Sequence, residues 1–217
     1  MAPFCVNVRL QVLPERRDEF LDVIRADQAG TLRDEEGSLQ FLVMNDVADP
    51  DTFYFHEEYN DLAAFEAHGE TAHYQPWKGF TQSSPFKAPI EVNTFVAEGE
   101  TSPVTREERM GLTANFDAKE KYCVWVNLFP ADSVLSDFRT CIAGNKLGTD
   151  TSEPLALQYT WGVTSKDTSK YSFFEVYEGE EGFKQHQGAP HFAKWEEFAG
   201  KEGVFQNEPE VHFARVI

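Results

Sequence analysis

The sequence predicts an α+β fold in which one unit with the element order βαββαβ occurs twice. Two observations carry this prediction. First, eight residues of the first half reappear in the second half at a constant spacing of 118 residues. Second, each half shows four strand-like stretches with period-two alternation or dense aromatic content, and helical patterning in the regions between them.

The repeated residues are mostly aromatic side chains and histidines. In the first half they are Phe55, Glu57, Tyr59, Phe65, His68, His73, Trp77 and Phe80. The same spacing, without a gap, aligns Phe20, Ile24 and Glu35 with Phe138, Ile142 and Glu153. An ungapped match of this length indicates a tandem duplication. We therefore predict two domains, 1–97 and 121–217, joined by a linker at 98–120 that contains Gly99, Pro103 and a mixed-charge run.

The elements of each half follow from local patterns. Alternation predicts a first strand over 4–12, and Pro14, followed by acidic residues, opens a helix that ends near Gly30 or slightly later. The remaining elements of the first half are strands at 38–46 and 52–59, a helical region at 61–82 broken near Gly69, and a strand at 89–97. In the second half we predict strands at 121–130, 155–164, 170–178 and 208–217, and helices at 131–147 and 179–200.

This order is that of a ferredoxin-like unit. An antiparallel sheet with helices on one face leaves its other face uncovered, and a second sheet of the same kind can cover it. We therefore expect the two sheets to pack into an intramolecular pseudo-dimeric α+β barrel. A domain-swapped form or a further homo-oligomer is left open.

Composition restricts the partners. The chain has 37 acidic and 19 basic residues and a formal charge of −18, so its field repels phosphate backbones and argues against nucleic acid. No apolar run approaches the roughly 20 residues of a membrane span. The first residues resemble a strand and not a secretory signal, so we expect a cytoplasmic protein. The three cysteines, Cys5, Cys123 and Cys141, form no CxxC pair, which argues against a disulfide scaffold or a zinc site.

Several motifs of the first half carry a family resemblance. They are the stretch 17–25, Gly30-Thr31, the run 35–41, the aromatic strand 53–59, His68 and His73-Tyr74. On these motifs, residues 5–80 resemble the antibiotic-biosynthesis-monooxygenase superfamily, and most closely its branch with the autoinducer-2 phosphate isomerase and the quinol monooxygenases. The second half is similar more loosely, through Asn145, Thr149, Glu153-Pro154, Glu175, Tyr177, His186 and Pro190-His191-Phe192. The isomerase branch commonly has an Asn-His pair where this chain has Asp27-Gln28 and Asn145-Lys146.

The resemblance implies small-molecule chemistry without flavin, heme or metal, in a pocket between each sheet and its helices. A deprotonated phenol, quinol or enolisable ketone can itself pass an electron to dioxygen, so a base and a dry cavity suffice. Our first hypothesis is a cofactor-independent monooxygenase of a small aromatic, quinol-like or enolisable metabolite. The alternatives are an isomerase or degrading enzyme for a small carbonyl compound similar to autoinducer-2 phosphate, and a non-catalytic ligand-binding or stress-response module. Heme degradation ranks below these.

Candidate catalytic residues come from the repeated set. Histidine titrates near neutral pH and suits a general base, which makes candidates of His68, His73, His186 and His191. Glu57 and Glu175 are further candidates, as acids, bases or partners of a histidine, if they face the pocket. A purely structural role is open for all six. His68 and His73 lie about 140° apart around a helix, so we expect no metal site unless the helix breaks between them.

Candidate substrate-binding residues are the repeated tyrosines and tryptophans and one asparagine. They are Tyr59, Tyr177, Trp77, Trp195 and Asn145. The tyrosines could donate a hydrogen bond to an oxyanion, and the tryptophans could form pocket walls. Whether a phosphorylated substrate fits depends on the basic residues near the pockets, for which the candidates are Arg9, Arg25, Arg33 and Lys146.

Overall fold

A computed structural model describes residues 2–100, 105–114 and 121–217, and their eight main strands form one antiparallel sheet. In chain order the strands are β1 (Phe4–Gln11), β2 (Ser38–Asp46), β3 (Thr52–Tyr59), β4 (Glu91–Val96), β5 (Lys121–Leu128), β6 (Ala156–Val163), β7 (Tyr171–Glu178) and β8 (Glu210–Val216). Their order in the sheet is β4-β1-β3-β2-β8-β5-β7-β6. The strands of each half are adjacent, and the halves join where β2 pairs with β8.

The two ends of the sheet meet and nearly close a barrel. Phe95 in β4 bridges Thr164 just after β6, and the Glu98 amide donates to the Trp161 carbonyl at 2.8 Å. This contact is the repeat-equivalent of the pairing between β2 and β8, so the barrel has pseudo-twofold symmetry. The predicted pair of ferredoxin-like units in a pseudo-dimeric α+β barrel is confirmed.

Helices cover the outer face of the barrel. They are α1 (Arg17–Asp34), α2 (Leu62–His68), α3 (Tyr74–Gln82), α4 (Arg106–Ala114), α5 (Leu135–Ser152), α6 (Gly179–Gln187) and α7 (Pro190–Ala199). Phe20 and Ile24 of α1 pack against β1 and β3, and Phe138 and Ile142 of α5 do the same in the second half. Within the described residues, no helix is both long and apolar enough to cross a membrane.

Two glycines lie inside the long helices and do not end them. A Cβ on Gly30 would lie 2.4 Å from Cγ of His73, and one on Gly148 would lie 2.3 Å from Cγ of His191. Glycine is therefore required because an imidazole ring packs directly on the helix backbone. The predicted end of the second-half helix at 147 was wrong, since α5 continues to Ser152.

The helix α4 lies in the predicted linker and was not predicted. Arg106 donates to the carbonyl oxygens of Leu32 and Glu35 at the end of α1 and of Ser38 at the start of β2. The helix therefore contacts the first half at the end of α1. The rest of the linker, 101–104 and 115–120, lies outside the described residues, and the domain limits at 97 and 121 stay a prediction.

The barrel interior is polar on one side. Gln40 and Gln158, which are equivalent positions, exchange two hydrogen bonds of 3.0 and 3.1 Å across the pseudo-twofold axis. Glu58 is fully buried, and Nε of Arg109 lies 2.6 Å from its carboxylate. Burial raises the pKa of Glu58, but Arg109 and His56 outweigh it and bring the pKa to about 2. The interior thus contains an ion pair that ties α4 to the sheet.

Candidate functional site

Each half has a cavity between its sheet and its helices. The first, called site one, has a volume of about 230 Å³, and the second, called site two, about 310 Å³. Apolar side chains form most of both walls. Trp77 lines site one and Trp195 lines site two, so both tryptophans lie where a pocket wall was predicted.

The two histidines of site one meet because the helix breaks between them. α2 ends at His68 and α3 begins after His73, so the rings project from different helices. Oε1 of Glu35 lies 2.7 Å from Nδ1 of His68 and 2.6 Å from Nε2 of His73. His68 lines the cavity, while His73 lies on the other side of Glu35 and is partly exposed.

Site two repeats this network. Oε1 of Glu153 lies 2.8 Å from Nδ1 of His186 and also contacts Nε2 of His191. His186 lines the cavity and His191 is the outer member. Oγ1 of Thr149 lies 3.3 Å from Nδ1 of His186, and Oγ1 of Thr31 lies at the same distance from Nδ1 of His68. We call each arrangement a His-Glu-His network.

The glutamates of these networks, Glu35 and Glu153, were missing from the candidate residues. The signal was present, because they match at the same spacing as the histidines. Burial raises the pKa of Glu35, but its hydrogen bonds with His68 and His73 outweigh this, and the pKa is below its usual value. Glu35 is therefore ionised at neutral pH and can accept a hydrogen bond from either ring.

Glu57 and Glu175 face the cavities, which was the condition for a catalytic role. Both are buried, and burial raises the pKa of each carboxyl. The Tyr59 hydroxyl donates to Glu57 at 2.6 Å, and Tyr177 donates to Glu175 at the same distance. Neither tyrosine is a lining residue of its cavity, so these hydroxyl groups act on the glutamates, and their contact with a substrate stays a prediction.

The position of Asn145 differs chemically between the sites. Asn145 lines site two and donates to the Tyr159 hydroxyl at 3.3 Å. The equivalent Asp27 is buried beside site one, and its Oδ2 lies 3.7 Å from Nε2 of His68. Burial raises the pKa of Asp27 to about 7.

No lysine or arginine lines either cavity among the described residues. Nζ of Lys146 donates to the Tyr159 carbonyl at 2.7 Å and pairs with Glu100 and Asp150. Arg33 pairs with Asp34 at the surface. The described walls therefore offer no ammonium or guanidinium group to a phosphate.

Two clusters contain residue types that bind metals. They are Asp27, His68 and His73, and Glu153, His186 and His191, with ligand atoms within 4.8 Å of one another. In site one the two ring nitrogens lie 2.6 and 2.7 Å from an oxygen of Glu35, which is not a member of the cluster, and these are hydrogen-bond distances. The expectation of no metal or cofactor stays a prediction.

The fold and the cavities together define an α+β-barrel protein with a mostly apolar cavity in each half. The family model described as "Antibiotic biosynthesis monooxygenase" matches residues 3–87. An isomerase of (4S)-4-hydroxy-5-phosphonooxypentane-2,3-dione from Klebsiella pneumoniae is 45% identical over 67 residues, which are 31% of this chain and 67% of that protein. YcnE of Bacillus subtilis, provisionally named a monooxygenase, is 35% identical over 85 residues, 38% of this chain and 85% of that protein. The chain belongs to the antibiotic biosynthesis monooxygenase family.

Two solved structures match nearly the whole chain. A protein of Lactobacillus acidophilus has a TM-score of 0.77 at 16% identity, covering 99% of this chain and 93% of the other. A protein of Fusobacterium nucleatum has a TM-score of 0.80 at 16% identity, with coverage of 99% and 92%. Both are provisionally named monooxygenases. At this identity the match shows the fold alone.

Proposed function

We propose that the chain is a cofactor-independent monooxygenase that removes a proton from a small aromatic, quinol-like or enolisable metabolite. The observation that carries this proposal is a His-Glu-His network at the base of a cavity whose walls are mostly apolar. Apolar walls exclude water and strengthen the electrostatic interactions of the few polar groups inside.

The cavity-facing histidine is the proposed base. Nδ1 of His68 is engaged by Glu35, which leaves Nε2 as the atom that can accept a proton. Burial lowers the pKa of His68, but the hydrogen bond with Glu35 and the Glu57 and Asp27 carboxylates outweigh it, so the pKa is above its usual value. The surrounding carboxylates thus stabilise the imidazolium that proton transfer creates.

The outer histidine gives the proton a route to solvent. His68 is buried, Glu35 lies between the rings, and His73 is partly exposed. A proton that reaches His68 can leave through Glu35 and His73 without water entering the cavity. The same route runs through Glu153 and His191 in site two.

The oxidation then needs only dioxygen as co-reactant. The substrate anion gives up an electron, combines with dioxygen and forms a peroxide. For a methylene group, loss of water leaves one oxygen atom as a new carbonyl oxygen, while the other oxygen leaves in the water with the two hydrogens. Both C–H bonds of the methylene supply the four electrons.

The second candidate is an isomerase, which would take the same first proton and return it to another atom. The similarity to the Klebsiella isomerase favours it. The absence of lysine and arginine from the described cavity walls argues against a phosphorylated substrate. A non-catalytic binding module is the third candidate, because apolar cavities of this size also suit simple ligand binding.

The test compares His68→Ala, His186→Ala and the double variant. The two single variants remove equivalent histidines, so each is the control for the other. Metal-stripped protein is incubated with a panel of quinols, catechols and enolisable ketones while dioxygen uptake is recorded. Uptake that the double variant loses supports the oxygenase. Exchange of substrate protons with solvent deuterium under nitrogen, without uptake in air, supports the isomerase instead. A bound ligand with neither reaction supports the binding module.

A further inference from the structure

Sites one and two differ in one carboxyl group at their base. Asp27 in α1 is equivalent to Asn145 in α5, whereas the threonine, both histidines and both glutamates around them are the same in the two halves. The amide nitrogen of Asn145 donates to the Tyr159 hydroxyl, while its Oδ1, like that of Asp27, has no hydrogen-bond partner among the described residues. The residue equivalent to Tyr159 is Phe41, so Asp27 has no corresponding hydroxyl.

Asp27 is a buried carboxyl group that lies against the proposed base. It is 1% exposed, and its Oδ1 has no hydrogen-bond partner among the described residues. Its Oδ2 is 3.7 Å from Nε2 of His68, whose other nitrogen is held by Glu35, so the imidazole lies between two carboxyl groups. Carboxylates are seldom buried without partners, and an unsatisfied one beside a cavity indicates a role in handling charge.

Titratable groups face Asp27 from each element packed around it. They are Glu35 at the end of α1, Glu57 and Tyr59 in β3, His68 in α2, and His73 and Tyr74 at the start of α3. Burial raises the pKa of Asp27, Glu57 and Glu35 raise it further, and His68 opposes them. The pKa of His68 is also raised, so both members of this close pair bind a proton more readily than the free side chains do.

We propose that site one carries out the proton transfer, that site two binds a similar ligand without it, and that Asp27 is the positioning residue that shares the transferred proton with His68. This inference rests on the proposed function and assigns its chemistry to one half. The bond between the substrate atom and hydrogen breaks, its electron pair stays on the substrate, and the proton moves to Nε2 of His68. Asp27 balances the imidazolium charge, which the neutral amide of Asn145 cannot do.

The first test needs no substrate. Imidazole titrations of His68 and His186 are followed by NMR in the natural chain, in Asp27→Asn and in Asn145→Asp, which exchange the two residue types. We expect Asp27→Asn to lower the titration midpoint of His68 by about 1 to 3 pH units, and Asn145→Asp to raise that of His186. Midpoints that do not move in either variant would overturn the inference.

The second test measures proton removal directly with 2-tetralone, an enolisable ketone, as the probe. Exchange of its α-protons with deuterium is recorded under nitrogen across a range of pH. We expect Asp27→Asn to slow exchange about 100-fold at saturating ketone, to change KM little and to alter the pH profile. In a His68→Ala background, Asn145→Asp should increase the exchange by site two.

The outcomes separate this inference from the proposed function. Exchange that Asp27→Asn retains and His186→Ala abolishes would assign the chemistry to site two and overturn the inference. If the natural chain exchanges no proton from 2-tetralone or any other compound of the panel and consumes no dioxygen, the proposed function fails. The imidazole titrations then still decide whether Asp27 shares a proton with His68.

Discussion

The two halves of the chain share a fold and a His-Glu-His network but differ in the polar groups that they bury. The first half buries Asp27, Asn7, His56 and Glu58, and the equivalent residues of the second half are Asn145, Trp125, Phe174 and Val176. The geometry of the network is therefore compatible with both charged and neutral surroundings. Stability and proton affinity, which depend on those surroundings, should differ between the halves.

The largest expected effect is on the buried ion pair of the first half. Arg109→Ala leaves the Glu58 carboxylate in the barrel without its guanidinium partner, and we expect a loss of about 3–5 kcal/mol in the free energy of unfolding. Urea unfolding followed by circular dichroism measures this loss.

The control makes the first half resemble the second. Glu58→Val introduces the residue type found at Val176, and combined with Arg109→Met it removes both charges. We expect the double variant to regain most of the lost stability. An Arg109→Ala chain as stable as the natural one would show that the pair does not hold α4 to the barrel.

The second-largest effect is expected in the pH dependence of the free energy of unfolding. The pKa of Asp27 is raised from 3.8 to about 7 on folding, so the folded chain binds this proton more tightly and loses stability as pH rises between these values. Asp27→Asn removes this loss. Between pH 4 and pH 8, the free energy of unfolding of the variant should therefore rise by on the order of 3 kcal/mol relative to that of the natural chain.

Asn145→Asp is the matched variant for this pH experiment. It should add a similar loss of stability with rising pH to the second half, because its side chain is equally buried. Denaturant unfolding at several pH values measures both variants. Identical pH dependence in all three chains would mean that Asp27 does not retain its proton on folding.

Smaller effects are expected at the glycines under the outer histidines. Gly30→Ala and Gly148→Ala each place a methyl group within 2.4 Å of a ring atom of His73 or His191, so we expect each to cost about 1–3 kcal/mol. Thermal unfolding gives the cost, and NMR of the imidazole shows whether the ring has moved. A wild-type melting temperature would contradict the close packing.

The smallest effect is expected at Gly144, and it is a gain. A Cβ there meets no atom within 4 Å, and the equivalent residue of the first half is Ala26. Gly144→Ala should therefore stabilise α5 by about 0.5–1 kcal/mol. This substitution controls for Gly148→Ala, because it adds the same methyl group to the same helix without an imidazole nearby.

The fold could be predicted because the tandem duplication repeats the same residue pattern in both halves. Strand limits were close to those observed, since alternation and turn residues define them locally. The limits of α5 were missed because Gly148 resembles a helix end, whereas it is required by a ring that comes from α7. The helix α4 was missed because nothing in the first half repeats it.

The geometry of the candidate site could be predicted in part, and the roles of its residues stay predictions. His68 and His73 were selected, but their convergence depends on the break between α2 and α3, whose exact geometry a residue count cannot give. Glu35 follows the last residue of α1, where the helical periodicity of the sequence ends. The sequence therefore does not indicate where its side chain points, and its position between the rings was not predicted. The burial of Asp27 depends on packing from β3 and two other helices, which only the tertiary structure supplies.

The stacking of His56 on Phe174 shows that the two halves contribute different side chains at equivalent positions of the barrel interior, so one half cannot simply replace the other. These equivalent residues face each other across the pseudo-twofold axis, with ring centroids 4.0 Å apart. A homodimer of the first half alone would bring two histidines and two Glu58 carboxylates into that interior, and a homodimer of the second half would have neither. If the chain is cleaved between its halves, the two polypeptides should associate preferentially as a heterodimer. The two halves of the fused chain are therefore complementary to each other.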